Sequence, residues 1–248
     1  VQTCALPIFN ADTGKLCESF ANKGILNLQT DMPVTTPGMY EPTSPPIVTD
    51  TTIIIAGAVT DNFSTREPSG VIRGFDVNTG KQLSEIKRLW SGMGGRYPEG
   101  PHLYKKDGYY YLLLAEGGTE HGHHVTLARS RYLEGPYTPC PSNPILSHFN
   151  NEMQNSPIQG LGHADFVQAS DGSWWVIFLG YRTHGYLQHV MGRETFLAPV
   201  QWEKGSWPVV NKNGTVQINM DCKTLPQVKL PKDPETDDFS QTKLAWCW

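Results

Sequence analysis

Two residues set the chemical question. Glu99 stands in "RYPEGPHLYKKDGYYYLLL", in a Tyr-Pro-Glu-Gly-Pro turn directly ahead of a strongly β-forming run, and His163 stands in "GHADFVQASDGSWWV". Each lies eight positions before a turn aspartate, Asp107-Gly108 in one stretch and Asp171-Gly172 in the other, and the two stretches superimpose at an offset of 64 residues. Carboxylic acids and imidazoles are the side chains that most often move protons in catalysis. A carboxyl that serves as general acid in a hydrolysis needs a second group to activate water, so Glu99 raises the question of its partner. Taken singly, each residue has a plainer account: Glu99 as a solvated turn carboxylate beside Gly and Pro, His163 as a hydrogen-bonded, half-buried histidine. Their shared register raises the functional reading of both.

The elements that must position them are strands. "PPIVTDTTIIIAGAV", "GPHLYKKDGYYYLLLAEGG" and "GHADFVQASDGSWWVIFLGYR" each pair two apolar runs across an Asp-containing turn, the pattern of β-hairpins. Helical periodicity is absent. Repeats of this length with several strands each indicate propeller blades. The innermost strands of a propeller line its central channel, so equivalent positions in two blades face one axis. Glu99 and His163 are therefore expected to meet in one polar pocket, with Tyr109, Tyr110, Tyr111, Trp174, Trp175 and Phe178 packing the blades. The cluster "EHGHH" (Glu120, His121, His123, His124) lacks the i, i+4 spacing of a helical zinc motif and has no partner ligands in view, and reads as a polar loop at a strand end. "GMGGRYPEG" lacks the strand-then-helix context of a phosphate loop.

Composition limits the rest. The chain has 248 residues, 38% of them hydrophobic, with 24 Gly and 19 Pro, as suits a turn-rich β-protein. A formal charge of −4 and scattered Lys and Arg leave no basic stripe, which argues against nucleic acid as a partner. "IIIAGAV" and "WWVIFLGY" fall far short of the roughly 20 residues of a membrane-spanning helix. Five cysteines without a CxxC pair fit neither a disulfide framework nor a zinc site, and leave the compartment open. "VQTCALPI" resembles the in-frame translation of a sequencing adapter, and on that reading residues 1–8 stand outside the fold.

From about Thr79 onward the chain resembles glycoside hydrolase family 43, through "GRYPEGPHLYKKDGYYYLLLAEGGT", "LARSRYLEGPYTPCPSNPIL", "GHADFVQASDGSWWV" and "GRETFLAPVQW". The resemblance implies a five-bladed β-propeller that hydrolyses β-xylosides or α-L-arabinofuranosides with inversion, so its partner would be a pentose-containing oligosaccharide or polysaccharide. It implies Glu99 as general acid, with a raised pKa, and a separate base carboxylate about 6.5–9.5 Å away. It also implies Arg193 as a sugar contact, His163 as the axial histidine (a calcium ligand in some members), and His123 on the same loop face. No cofactor is otherwise required. The family's base and a second, pKa-tuning aspartate lie in blades upstream of the acid.

That upstream region has another character. Residues 9 to about 80 resemble the membrane-bound quinoprotein glucose dehydrogenases, eight-bladed propellers, through "ADTGKLCESFANKGILNLQTDMP", "GMYEPTSPPIVTD" and "IAGAVTDNFSTREPSGVIRGFDVNTG". The resemblance implies pyrroloquinoline quinone (PQQ) with calcium or magnesium, and Asp61 and Asn62 as ligands of that metal; read alone, Asp61-Asn62 is an ordinary turn pair.

The expected organisation is all-β: residues 1–8 adapter-like, 9–80 quinoprotein-like, 81–225 an incomplete family 43 propeller, and 226–248 a Pro-rich linker with the start of an accessory β-sandwich. The join falls in "DVNTGKQLSE", residues 76–85, because Thr13-Gly14-Lys15 and Thr79-Gly80-Lys81 repeat one turn that suits both parents. Three functions follow: a family 43 hydrolase piece that has lost its base, with Asp165 as the carboxylate to consider in its place; a quinoprotein dehydrogenase piece; or a non-catalytic carbohydrate-binding propeller.

Overall fold

Runs of β-branched and aromatic residues broken every few positions by Gly, Asp and Pro favour strands and tight turns, and no helix occurs among the described residues. A computed structural model describes residues 5–32, 40–42, 45–59, 71–150, 152–185, 187–221, 224–226 and 228–229. Strand β1 (Ala5–Pro7) pairs antiparallel with β2 (Ile25–Asn27). Next come β3 (Tyr40–Glu41), β4 (Ile47–Val48), β5 (Thr52–Val59) and β6 (Val71–Asp76), all three others pairing with β5.

Two four-stranded meanders follow. The first consists of β7 (Glu99–Lys106), β8 (Tyr109–Glu116), β9 (His124–Ser130) and β10 (Thr138–Pro139), in spatial order β10-β9-β8-β7. The second consists of β11 (Ile158–Gln168), β12 (Trp174–Arg182), β13 (Glu194–Gln201) and β14 (Val209–Val210), in sequence order. The first strand of one blade, β11, packs against β7, β8 and β9 of the other. All three expected hairpins form, as β4–β5, β7–β8 and β11–β12. The architecture is an incomplete β-propeller.

Burial explains why the blades stay together. Tyr111, Leu113, Val125 and Leu127 from one blade and Ile158, Leu161, Phe166 and Phe178 from the other form a single buried cluster. Trp202, just past β13, is its hub, with ring centroids 4.8 Å from Tyr111, 4.9 Å from Trp174 and 5.1 Å from Phe166. Aromatic rings bring large apolar area and prefer such tilted or edge contacts. A separate cluster, Phe20, Leu28, Tyr40, Ile53, Ile55 and Phe75, closes the N-terminal region around buried Arg73, which donates to the carbonyl oxygens of Thr30 and Leu28.

One expectation needs correction. Residues 5–8 do not stand outside the fold: Ala5–Pro7 form a strand, the Ile8 amide donates to the Gly24 carbonyl at 2.9 Å, and Leu6 and Ile8 pack on the N-terminal core. The alternation of apolar and small residues suffices to add a strand, whatever its origin. The Leu83 amide still bonds the Gly74 carbonyl at 2.9 Å, within the stretch 76–85 where the join is expected. Residues 230–248, with the expected accessory strand, lie outside the described residues.

Candidate active site

Glu99 is the first residue of β7 and His163 lies within β11, and each adjoins a break in strand register. Pairing with β8 shifts between Glu99 and His102, and pairing with β12 shifts between Gly162 and Asp165. A bulge bends its strand and re-aims a side chain, which is why bulges recur beside active sites. His163 takes φ 49°, a left-handed conformation that costs a non-glycine residue of order 1–3 kcal/mol. The result is the meeting that the repeat register anticipates: His163 Nδ1 stands 3.8 Å from Glu99 Oε1, both side chains partly exposed.

His123 joins them from the loop before β9. It is fully buried, and its Nδ1 lies 3.2 Å from the Gly160 carbonyl oxygen, so Nδ1 carries the proton and donates it. Nε2 is then left with a lone pair, buried and without a hydrogen-bond partner. One ligand atom from each of Glu99, His123 and His163 lies within 4.8 Å of the others. Gly162 makes this possible, because a Cβ there would stand 2.3 Å from the His123 ring. The reading of "EHGHH" as a loop without distant partners is thus corrected for His123, whose partners come from two other strands. His121 instead bonds the Tyr181 hydroxyl, whose pKa burial pushes up to about 12.

The electrostatics differ from the expectation of a raised acid. The Glu99 carboxyl is held below its ordinary range, first by His163 as donor, with the charges of His163, His123 and Arg193 adding to it against the opposing effect of burial. At 3.8 Å the His163 contribution is that of a close ion-pair neighbour rather than a fully formed hydrogen bond. Raising the pKa takes a nearby negative charge or stronger desolvation, and every charged group acting on Glu99 is a cation or an imidazole. Burial lowers the pKa of His123, against the Gly160 carbonyl and the Glu99 charge, which raise it. Arg193 is exposed, immediately before β13, and reaches Glu99 through its charge.

Asp165 is on the same strand as His163 but has other partners. It accepts a hydrogen bond from the Tyr104 hydroxyl at 2.5 Å and lies 3.5 Å from His102 Nδ1. Asp61 and Asn62 lie outside the described residues. Sequence reasoning missed Glu116, which is wholly buried and accepts from the amides of Met93 and Gly95 at 2.7 Å and from Thr126 Oγ1 at 2.6 Å. It pins the glycine-rich loop that delivers Glu99. Its signal was a carboxylate closing the apolar run "YYYLLLAE", where strand burial predicts an apolar residue.

Glu99 from one blade meets His163 from the other and His123 from the loop before β9, with the Arg193 charge acting on Glu99. The family profile described as Glycosyl hydrolases family 43 matches residues 56–208, and the chain belongs to that family. A non-reducing end alpha-L-arabinofuranosidase of Bacteroides ovatus is 46% identical over 174 residues, 70% of this chain and 32% of that protein. The crystal structure of a xylan beta-1,4-xylosidase from Bacillus halodurans superimposes with a TM-score of 0.68 at 32% identity, over 78% of this chain and 37% of that one. Residues 2–90 match a second profile, the beta-propeller domain of glucose/ethanol/alcohol dehydrogenases. There the quinoprotein glucose dehydrogenase of Escherichia coli is 77% identical over 74 residues, 30% of this chain and 9% of that protein. The chain thus spans about a third of the length of the glycosidases it matches, and the two profiles overlap over residues 56–90.

Proposed function

We propose that the chain carries the acid side of an inverting pentosidase site, with Glu99 as proton donor, His163 and His123 on the sugar's flank, and Arg193 holding hydroxyls through its fixed donors. The observation that carries this reading is the convergence of Glu99, His123 and His163 from three separate segments, on a family scaffold. Relatives named for arabinofuranosides and xylan support a pentose-bearing oligosaccharide or polysaccharide as the partner.

The same geometry makes the site a weak catalyst. Among the described residues no carboxylate acts on Glu99, and a general base contributes about 10²–10⁴-fold. An acid held below its ordinary pKa is also ionised at neutral pH, the wrong state for giving a proton. The expected result with nitrophenyl xyloside or arabinofuranoside is release at the background rate. Calorimetry with xylose or arabinose should still show binding, weakened by Arg193→Ala. Robust turnover, lost in Asp165→Asn, would assign the base to Asp165 and overturn the inactive reading. For the quinoprotein region, glucose-dependent dye reduction with added PQQ and calcium is expected to be absent, because the matched segment is only 9% of the dehydrogenase.

A further inference from the structure

We infer that the end of the blades away from Glu99 carries a separate binding site, for the uronate groups of an acidic pentose polysaccharide. Arg129 lies in β9 and Arg131 just past it, and their guanidinium carbons stand 4.3 and 3.6 Å from the ring centroid of Tyr109. Arg129 also stands 4.1 Å from a ring centroid of Trp207, which comes from the other blade. Strand register explains the gathering: Lys106 pairs with Tyr109 and Tyr111 pairs with Arg129, so alternation puts these four side chains on one face of the first blade. Tyr109 begins β8, and Ala115, the partner of Glu99, lies near its other end, which separates this cluster from the Glu99 pocket by about 20 Å.

Three observations converge. Two guanidiniums that share one ring stand no more than about 8 Å apart, and like charges at that range repel unless an anion lies between them. Among the described residues no carboxylate pairs with either arginine: Glu134 is held by Lys87, and Asp107, in the β7–β8 turn, by Lys106 and the Gly205 amide. In a chain of formal charge −4, cations that the sequence scatters are thus brought together and left without a counter-charge. Third, stacking on the rings holds the guanidinium planes in place, and few of their N–H groups are used. Arg129 donates to the Gly205 carbonyl at 2.9 Å, and Arg131 reaches the Gly108 carbonyl at 3.4 Å. The remaining planar forks match a carboxylate, which accepts two parallel bonds from such a donor. Tyr109 and Trp207 are partly exposed and flank the arginines with apolar surface that a sugar ring can cover and a small free anion cannot. The choice of a polysaccharide as carrier rests on the pentosidase reading, whereas the choice of a carboxylate rests on the arginines alone.

The test uses the intact chain with glucuronoxylan, and with the same polymer after reduction of its carboxyl groups, compared by affinity electrophoresis and calorimetry at low salt. The acidic polymer is expected to bind about tenfold more tightly than the reduced one, and the difference should fade as salt rises. Arg131→Ala should weaken binding of the acidic polymer about fivefold, and Arg131→Lys should restore only part of it, because an ammonium lacks the planar fork. Arg131 is exposed, so these variants leave the core untouched. Lys105→Ala alters the opposite face of the same hairpin and should change nothing. Xylose binding at the Glu99 pocket should be indifferent to Arg131→Ala, so the two sites fail separately: pocket binding absent with the acidic polymer still held through Arg131 would remove the pentosidase reading and support this site. Equal binding of the two polymers, a loss in Lys105→Ala as large as in Arg131→Ala, or displacement by inorganic phosphate as effective as by galacturonate oligomers would overturn the assignment.

Discussion

In the N-terminal region one turn occurs twice with its bonds unchanged. Asn10 Oδ1 accepts from the Thr13 amide and hydroxyl at 2.9 and 3.0 Å, and 66 residues later Asp76 Oδ1 accepts from the Thr79 amide and hydroxyl at 2.8 and 2.7 Å. The closing bonds match as well, Asn10 N to Lys15 O and Asp76 N to Lys81 O, each 2.8 Å. In the two blades the repeat has instead kept its backbone and changed its chemistry: bulged strands of the same register present a carboxylate in one blade and an imidazole in the other. Repetition thus serves conformation in the first region, through side chains that satisfy backbone donors. In the second it serves convergence, because blades related by rotation bring equivalent positions to one axis.

The largest effect expected from this contrast is on stability. Trp202→Ala removes the ring that joins the blades and should cost about 3–5 kcal/mol, read as a lower denaturant midpoint with amide exchange accelerated through β7–β13. The cluster of Phe20, Leu28 and Phe75 shares no residue with it. Exchange in β5 and β6 should therefore stay unchanged. If β5 and β6 lose protection to the same degree, the two regions fold as one unit and the contrast is broken.

A smaller substitution sharpens it. A Cβ at Gly57 would stand 2.1 Å from the Tyr40 ring, and one at Gly162 would stand 2.3 Å from the His123 ring. Gly57→Ala and Gly162→Ala should each cost about 1–3 kcal/mol through overpacking. Only Gly162→Ala should change the site, by tilting the imidazole away from Glu99, seen as loss of sugar binding in calorimetry. Loss of binding in both would mean that the site depends on general stability and not on the local approach at Gly162.

The sequence made the hairpins, the blade register and the Glu99–His163 meeting legible because strand alternation and turn chemistry are local, and the repeat converts them into a statement about position. It did not make Trp202 legible as the hub, since a tryptophan after "LAPVQ" looks the same whether it lies inside a blade or between two. Glu116 was hidden for the opposite reason: its burial is offset by two backbone amides and a threonine hydroxyl that only the folded loop supplies. His123 appeared beside other histidines in a polar run, and what singles it out is the glycine at position 162 on a different strand.

Titration gives the finest test, because the regions differ in which groups resist protons. His148 is buried in the blades, with Nδ1 2.6 Å from the Ile158 carbonyl oxygen and Nε2 accepting from the Val216 amide at 3.0 Å. The neutral ring satisfies both contacts, whereas the imidazolium loses the second. Burial lowers the pKa of His148 and of His123 below the ordinary 6.5. In the N-terminal region Asp76 is held below 3.8 by the Thr79 hydroxyl and amide. All three have folded values below their unfolded ones, so the unfolded chain binds more protons, and each contribution is present above the unfolded pKa and is lost as pH falls through the folded one. Acidification from about pH 7 to 5 should therefore weaken the blades while β5 and β6 hold, and the N-terminal turn should yield only below about pH 4. His148→Gln, which can keep one donor and one acceptor, should flatten the first loss in a series of melting temperatures against pH. A blade stability that is level between those values in the unaltered chain would mean that the two histidines accept protons without penalty.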